Sequence, residues 1–162
     1  MAHRLRIILV LIVALAVTVP ALAIAKKAAQ AEAPAPEETG PISVLDDIAQ
    51  GWTSGDPDLI LRHFGANKVV IMFDGNGQGG PYSKDQGYYL FKDLFKATVT
   101  KKFVFVQVRN GNDGTASTFA IADRRYQRKD DGRQIKDKVY VSLHPELSEG
   151  GRWVIDEIKS IR

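Results

Sequence analysis

The groups in this chain that could move a proton are few. His63, within Arg62-His63-Phe64, titrates near neutrality and could serve as a general base, although its place beside Phe64 on a short amphipathic stretch equally suits a boundary histidine. Asp74 could act as a carboxylate base, yet an aspartate directly before Gly75 also has the chemistry of a turn former. His144 precedes Pro145 at the end of an apolar run. There is no His-x-x-x-His pair and no acid cluster at ligand spacing, so the sequence signals no metal centre. The chain has no cysteine, which excludes a thiolate nucleophile, a disulfide framework and thiolate metal sites. The glycine run Asp74 to Pro81 (DGNGQGGP) lacks the Lys-Ser/Thr pair of a phosphate-binding loop and reads as a turn, so no cofactor is expected. Ser83 opens a Ser-x-x-Gln capping box, and no nucleophile motif surrounds any other serine.

A second group of ionisable residues lies in the C-terminal half. Asp123, Arg125 and Asp137 are expected to project from one side of a sheet toward its end, either as a polar rim around an apolar pocket or as a simple cross-strand Arg125–Asp137 ion pair. Trp52 and Tyr88, on apolar helix faces, are the aromatic candidates to line the same pocket.

These side chains need a scaffold, and the sequence supplies one. Ile42 to Thr53 places Leu45, Ile48, Ala49 and Trp52 at helical spacing. Asp56-Pro57 is a fresh helix start for a second, short helix through Leu59 to Phe64. Asn67 to Phe73 reads as a strand, and a third helix after Ser83 carries Tyr88, Phe91, Leu94 and Phe95. Four strands follow, Lys102 to Arg109, Ala116 to Arg128, Arg133 to His144 and Arg152 to Arg162, rich in β-branched and aromatic residues and separated by Gly, Asn and Asp clusters. The expected fold is α+β, with N-terminal helices packed on a curved, mainly antiparallel meander in the order ααβ(β)αββββ.

Turn chemistry proposes a register. A three-residue loop closing Lys129 on Arg133, with Gly132 left-handed, sets Arg125 opposite Asp137, Ile121 opposite Val141 and Phe119 opposite Leu143. A two-residue turn on Asp131-Gly132 would instead set Phe119 opposite His144. Closing Arg109 on Thr115 sets Phe105 against Phe119 and Phe103 against Ile121. The face toward the helices would then hold Phe103, Phe105, Phe119, Ile121, Val139, Val141 and Leu143. The opposite face would hold Val104, Val106, Val108, Thr118, Ala120, Ala122, Tyr126, Tyr140 and Ser142, too apolar for a fully wet surface, which predicts a homodimer through that outer face.

Residues 1–25 have the form of a secretory signal peptide: Arg4 and Arg6, an apolar run from Ile7 to Val19, Pro20, then Ala-x-Ala sites. The rival is an uncleaved membrane anchor, since Ile7 to Ala25 carries no charge. Residues 26–41 (Ala, Glu, Pro, Gln, Lys, Gly) read as a disordered linker and 42–162 as the folded domain. The chain's net charge is +3, and loss of Arg4 and Arg6 with the leader lowers it by two, so nothing points to nucleic acid. Export to the secreted or periplasmic space follows if the leader is cleaved, and membrane contact only if it is not.

The order of elements over Ile42 to Arg162 resembles the nuclear transport factor 2-like superfamily, and is most similar to secreted bacterial members without a characterised activity. The resemblance is carried by Gly51-Trp52-Thr53-Ser54-Gly55-Asp56, by the Leu59 to Phe64 helix leading into Val69-Val70-Ile71, and by the closing Gly151-Arg152-Trp153-Val154-Ile155-Asp156-Glu157-Ile158. It implies a cone with a pocket at its open end and frequent dimers through the outer sheet face, but no single activity. In ketosteroid-isomerase-like members a carboxylate base follows the first strand, close to the place of Asp74, while the first helix here lacks their Tyr and has only Trp52. The expected function is therefore an exported, non-catalytic binding or assembly domain that could hold a small apolar ligand. An isomerase- or dehydratase-like enzyme using Asp74 or His63 is the alternative.

Overall fold

The computed structural model describes residues 40–73, 79–110, 117–146 and 151–162. The expected leader, most of the expected linker and Asp74 lie outside the described residues. Among the described residues no helix is long and apolar enough to cross a membrane.

The first helix, α1 (Pro41–Ser54), starts on Gly40 with a proline in its first turn, where the missing N–H leaves no hydrogen bond unmade. It buries Val44, Leu45, Ile48 and Trp52 and ends at Gly55, whose left-handed φ of 72° a residue with a Cβ resists. Asp56 caps α2 (Pro57–Leu61) by accepting from the Asp58 N–H at 3.0 Å. The helix starts on Asp56-Pro57 as expected and ends at Leu61, short of the expected Phe64. Strand β1 (Val69–Met72) pairs antiparallel with β2 (Gly79–Tyr82), so the end of the glycine run is a strand. Ser83 and Gln86 close both halves of the capping box on α3 (Lys84–Ala97), which turns Phe91 and Phe95 inward.

The meander follows as β3 (Thr98–Asn110), β4 (Thr118–Arg128), β5 (Gln134–Glu146) and β6 (Arg152–Ile161). Sheet order is β2-β1-β6-β5-β4-β3, antiparallel throughout except where β1 runs parallel to β6. The helices pack on one face and leave the other uncovered by any described element. This is the α+β arrangement expected from the order of elements. Strand β5 runs past the expected end at His144 and includes Pro145 and Glu146.

The register of the central strands differs from expectation. In β4 and β5 Arg124, not Arg125, stands opposite Asp137, Ile121 stands opposite Tyr140, and Phe119 opposite Ser142. A shift of one residue turns every side chain over. Ala120, Ala122, Arg124 and Tyr126 of β4 therefore face the helices and are buried, while Phe119 is 52% exposed on the outer face, with Ile121 beside it. In β3, Phe103 pairs with Arg124 and Phe105 with Ala122, and irregularities between Thr100 and Lys102 and between Phe105 and Gln107 bend the strand. The second one sets Val108 opposite the inward Ala120, so Val108 leaves the outer row expected for it.

The physical cause lies at the β4–β5 turn. The closing pair is Arg128 with Arg133, whose carbonyl accepts from the Arg128 N–H at 3.0 Å, and Lys129 joins the loop. Lys129 is held elsewhere: its N–H donates to the Ala97 carbonyl and its Nζ to the Phe95 carbonyl, each at 2.9 Å, satisfying acceptors at the end of α3. Gly132 is left-handed, with φ of 70°, as expected. On the inner face of β4 the small Ala120 and Ala122 are buried together with the large Arg124 and Tyr126, under a core rich in aromatic rings. Trp52 stacks on Phe103 at 5.3 Å and meets Phe73, Phe91 and Phe95 edge to face at 5.5–5.9 Å.

Candidate functional site

Asp123, Arg125 and Asp137 do not share a face of the sheet, although all three border one groove. The observed register sends Asp137 to the helix-facing side and Asp123 and Arg125 to the outer face. Trp52 sits in the aromatic core, and Tyr88 is half-buried on α3 with the Lys92 ammonium 5.5 Å from its ring centre. Three separate constellations take the place of the single rim.

The first is buried. Arg124 Nε donates to Asp137 Oδ1 at 2.8 Å and Arg124 Nη2 donates to Oδ2, a bidentate pair whose side chains are 2% and 1% exposed. The guanidinium carbon lies 4.5 Å from the Trp52 ring centre and 4.3 Å from that of Tyr126. Such a pair carries its own neutralisation and both aromatic contacts, so it fixes the register of β4 on β5. The indole Nε1 of Trp52 is buried and has no hydrogen-bond partner among the described residues. Arg124 escaped the sequence reading because an arginine between Asp123 and Arg125 gives no periodic signal of burial. The partner aspartate was identified, one position out of register.

The second surrounds His63, which is 5% exposed at the end of α2. Its Nε2 lies 2.7 Å from Asp47 Oδ2, which the Arg62 Nη1 approaches at 3.5 Å. Asp47 is an acceptor, so the neutral ring donates from Nε2. Burial lowers the His63 pKa from its ordinary value, outweighing the opposing pull of Asp47. The His63 carbonyl accepts from the Ile155 N–H at 2.9 Å and ties α2 to β6. Beside it Glu146 accepts from the Ala66 N–H at 3.1 Å and from Arg152 Nη2 at 3.3 Å. Neither Asp47 nor Glu146 was singled out in the sequence, because their partners are distant along the chain.

The third is the outer face. From β3 to β6 its rows are Val104–Asp123–Lys138–Ile161 and Arg109–Phe119–Ser142–Glu157, with Ile121, Tyr140 and Lys159 between. Val104 is 45% and Val106 54% exposed. A groove of about 390 Å³ runs past Gln107, Phe119, Ile121, Tyr140 and Glu157, and one of about 460 Å³ lies toward Lys102, Arg125 and Lys136. Asp123 Oδ1 accepts from Lys138 Nζ at 2.9 Å, which holds the Asp123 carboxyl below its usual range and the Lys138 ammonium above its own.

No family model matches the chain, and no curated protein matches it in sequence. Solved structures do match. A DUF4783 family protein from Bacteroides ovatus superposes with a TM-score of 0.55 at 15% identity, over 70% of this chain and 90% of that one. A second, from Bacteroides uniformis, gives 0.56 at 13% identity over 72% and 94%. A ketosteroid isomerase-like protein from Erwinia carotovora atroseptica gives 0.56 at 12% identity, over 74% and 90%. The fold is the nuclear transport factor 2-like cone. At these identities the likeness is one of fold, and the activity must be argued from this chain's own surfaces.

Proposed function

We propose that residues 42–162 form a non-catalytic assembly domain, exported by way of a cleaved leader, that docks a second copy of the chain through the outer face of its sheet. The observation that carries this reading is the outward position of Phe119 and Ile121 on β4, next to the β3 edge, continuous with Val104 and Val106 on β3 and Tyr140 on β5. Four strands about 4.8 Å apart and ten residues long, at about 3.3 Å per residue, span roughly 600 Å² of plane. That is close to the area of about 800 Å² per partner that stable interfaces bury.

The charges on this face suit a second copy. Arg109 stands at the β3 edge and Glu157 at the β6 side of one row. A two-fold axis along the strands sets β3 of one subunit over β6 of the other, bringing each arginine toward a glutamate while the phenylalanines meet at the centre. A small apolar ligand between helices and sheet would have to displace the Trp52 ring from Phe103, so the binding role falls to the outer face. An isomerase-like role is disfavoured at His63, whose Nε2 is committed to Asp47 in a buried setting.

Light scattering after size exclusion tests the reading. The unmodified chain is expected to elute as a dimer and Phe119→Asp as a folded monomer. A wild-type chain that is monomeric at every concentration overturns it.

A further inference from the structure

At the far end of the outer face three cations stand in line. Lys102 on β3 is directly opposite Arg125 on β4, and Arg125 is directly opposite Lys136 on β5. All three are exposed, and among the described residues no carboxylate forms an ion pair with any of them. Two acids border the same groove, but Asp137 is taken by Arg124 and Asp123 is hydrogen-bonded by Lys138, with Lys102 and Arg125 acting on it only through their charge. Elsewhere on β4 the arginines are matched, Arg124 by Asp137 and Arg128 by Asp130 and Asp131. Directly opposed like charges destabilise a sheet, so this row acts against the fold that carries it. It lines the groove of about 460 Å³, whose apolar surface comes from Tyr140 and from Ile161, 39% exposed. That volume lies within the roughly 300–1,000 Å³ of small-molecule sites.

We propose that this groove binds a small amphiphilic anion, with a phosphate or carboxylate head on Lys102, Arg125 and Lys136 and an apolar body against Tyr140 and Ile161. Paired cations and an apolar wall in one groove select for both parts of such a ligand. Arg125 lies four residues along β4 from Ile121, about 13 Å at the usual rise, so the cation row lies beyond the apolar band assigned to the second copy, and Tyr140 borders both.

The test is calorimetric titration of the full chain with decyl phosphate, inorganic phosphate and phosphatidylglycerol vesicles. Saturable binding of decyl phosphate is expected, at least about tenfold tighter than inorganic phosphate. The Arg125→Gln/Lys136→Gln variant is expected to bind about tenfold more weakly while its thermal midpoint does not fall. Phe119→Asp should retain the binding, which separates failure of this site from failure of the assembly face. The proposal is overturned by absence of binding, by equal affinity for inorganic phosphate, by binding to vesicles alone, or by an unchanged double variant.

Discussion

Replacing Arg124 by alanine is expected to bring the fold close to collapse, while the same change at Arg125 is nearly silent. The Arg124 side chain is 2% exposed and donates twice to an aspartate that is itself 1% exposed, so its removal leaves a buried, unpaired carboxylate. Breaking a buried pair by deleting one member costs about 3–5 kcal/mol. Loss of the guanidinium contacts with Trp52 and Tyr126 adds to that. A domain with about 5–15 kcal/mol of total stability loses between about a fifth and all of it. Arg125 is exposed, and an exposed cation contributes within about 1 kcal/mol. Urea denaturation of both variants, followed by tryptophan fluorescence, reads the difference as a shift in midpoint at constant slope. Replacing both partners, Arg124→Met with Asp137→Leu, should recover much of the loss because no charge is then stranded. Equal costs at Arg124 and Arg125, or a larger cost at Arg125, would refute the register and with it the outward position of Phe119.

Three further outcomes follow from the same geometry. Because burial lowers the His63 pKa, the unfolded chain binds its proton first as pH falls; stability should decline from about pH 6.5 down to the depressed folded value, and His63→Gln should flatten that slope in urea titrations across the window. Gly87→Val should destabilise measurably, by about 1–3 kcal/mol in thermal melts, since even a Cβ there would lie 2.8 Å from Phe64 Cε2 where α3 crosses α2. Arg125→Gln should raise stability by about 0.2–1 kcal/mol through relief of its repulsion from Lys102 and Lys136, and a loss of that size would argue that the row is compensated.

Local chemistry was legible in the sequence wherever the partners are neighbours in the chain. The Ser83–Gln86 box, the Asp56 cap ahead of Pro57 and the left-handed Gly132 all stand where turn and cap rules place them. The order of strands and helices was legible for the same reason. The register was not, because Lys129 is withdrawn from the β4–β5 ladder by carbonyls of α3, more than thirty residues away. A rule that places the largest apolar residues inward then chose Phe119 and Ile121, whereas the core that Trp52, Phe91 and Phe95 already fill buries Ala120 and Ala122. The same displacement explains the site residues. Asp137 was found with the wrong arginine, and Asp123 and Arg125 were assigned to the face opposite the one they occupy. An apolar outer face was anticipated and persists with different residues: Phe119 and Ile121 join it, Ala120, Ala122, Tyr126 and Val108 leave it, and Asp123 and Arg125 bring charge to it.

The account rests most heavily on that face, and the mass of the assembled protein tests it most directly. Native mass spectrometry of the unmodified chain, purified from its own compartment, is predicted to give twice the mass of a single chain lacking residues 1–25, dissociating to one copy in Phe119→Asp. A single-copy mass at all concentrations, with Phe119→Asp indistinguishable from the parent, would contradict it.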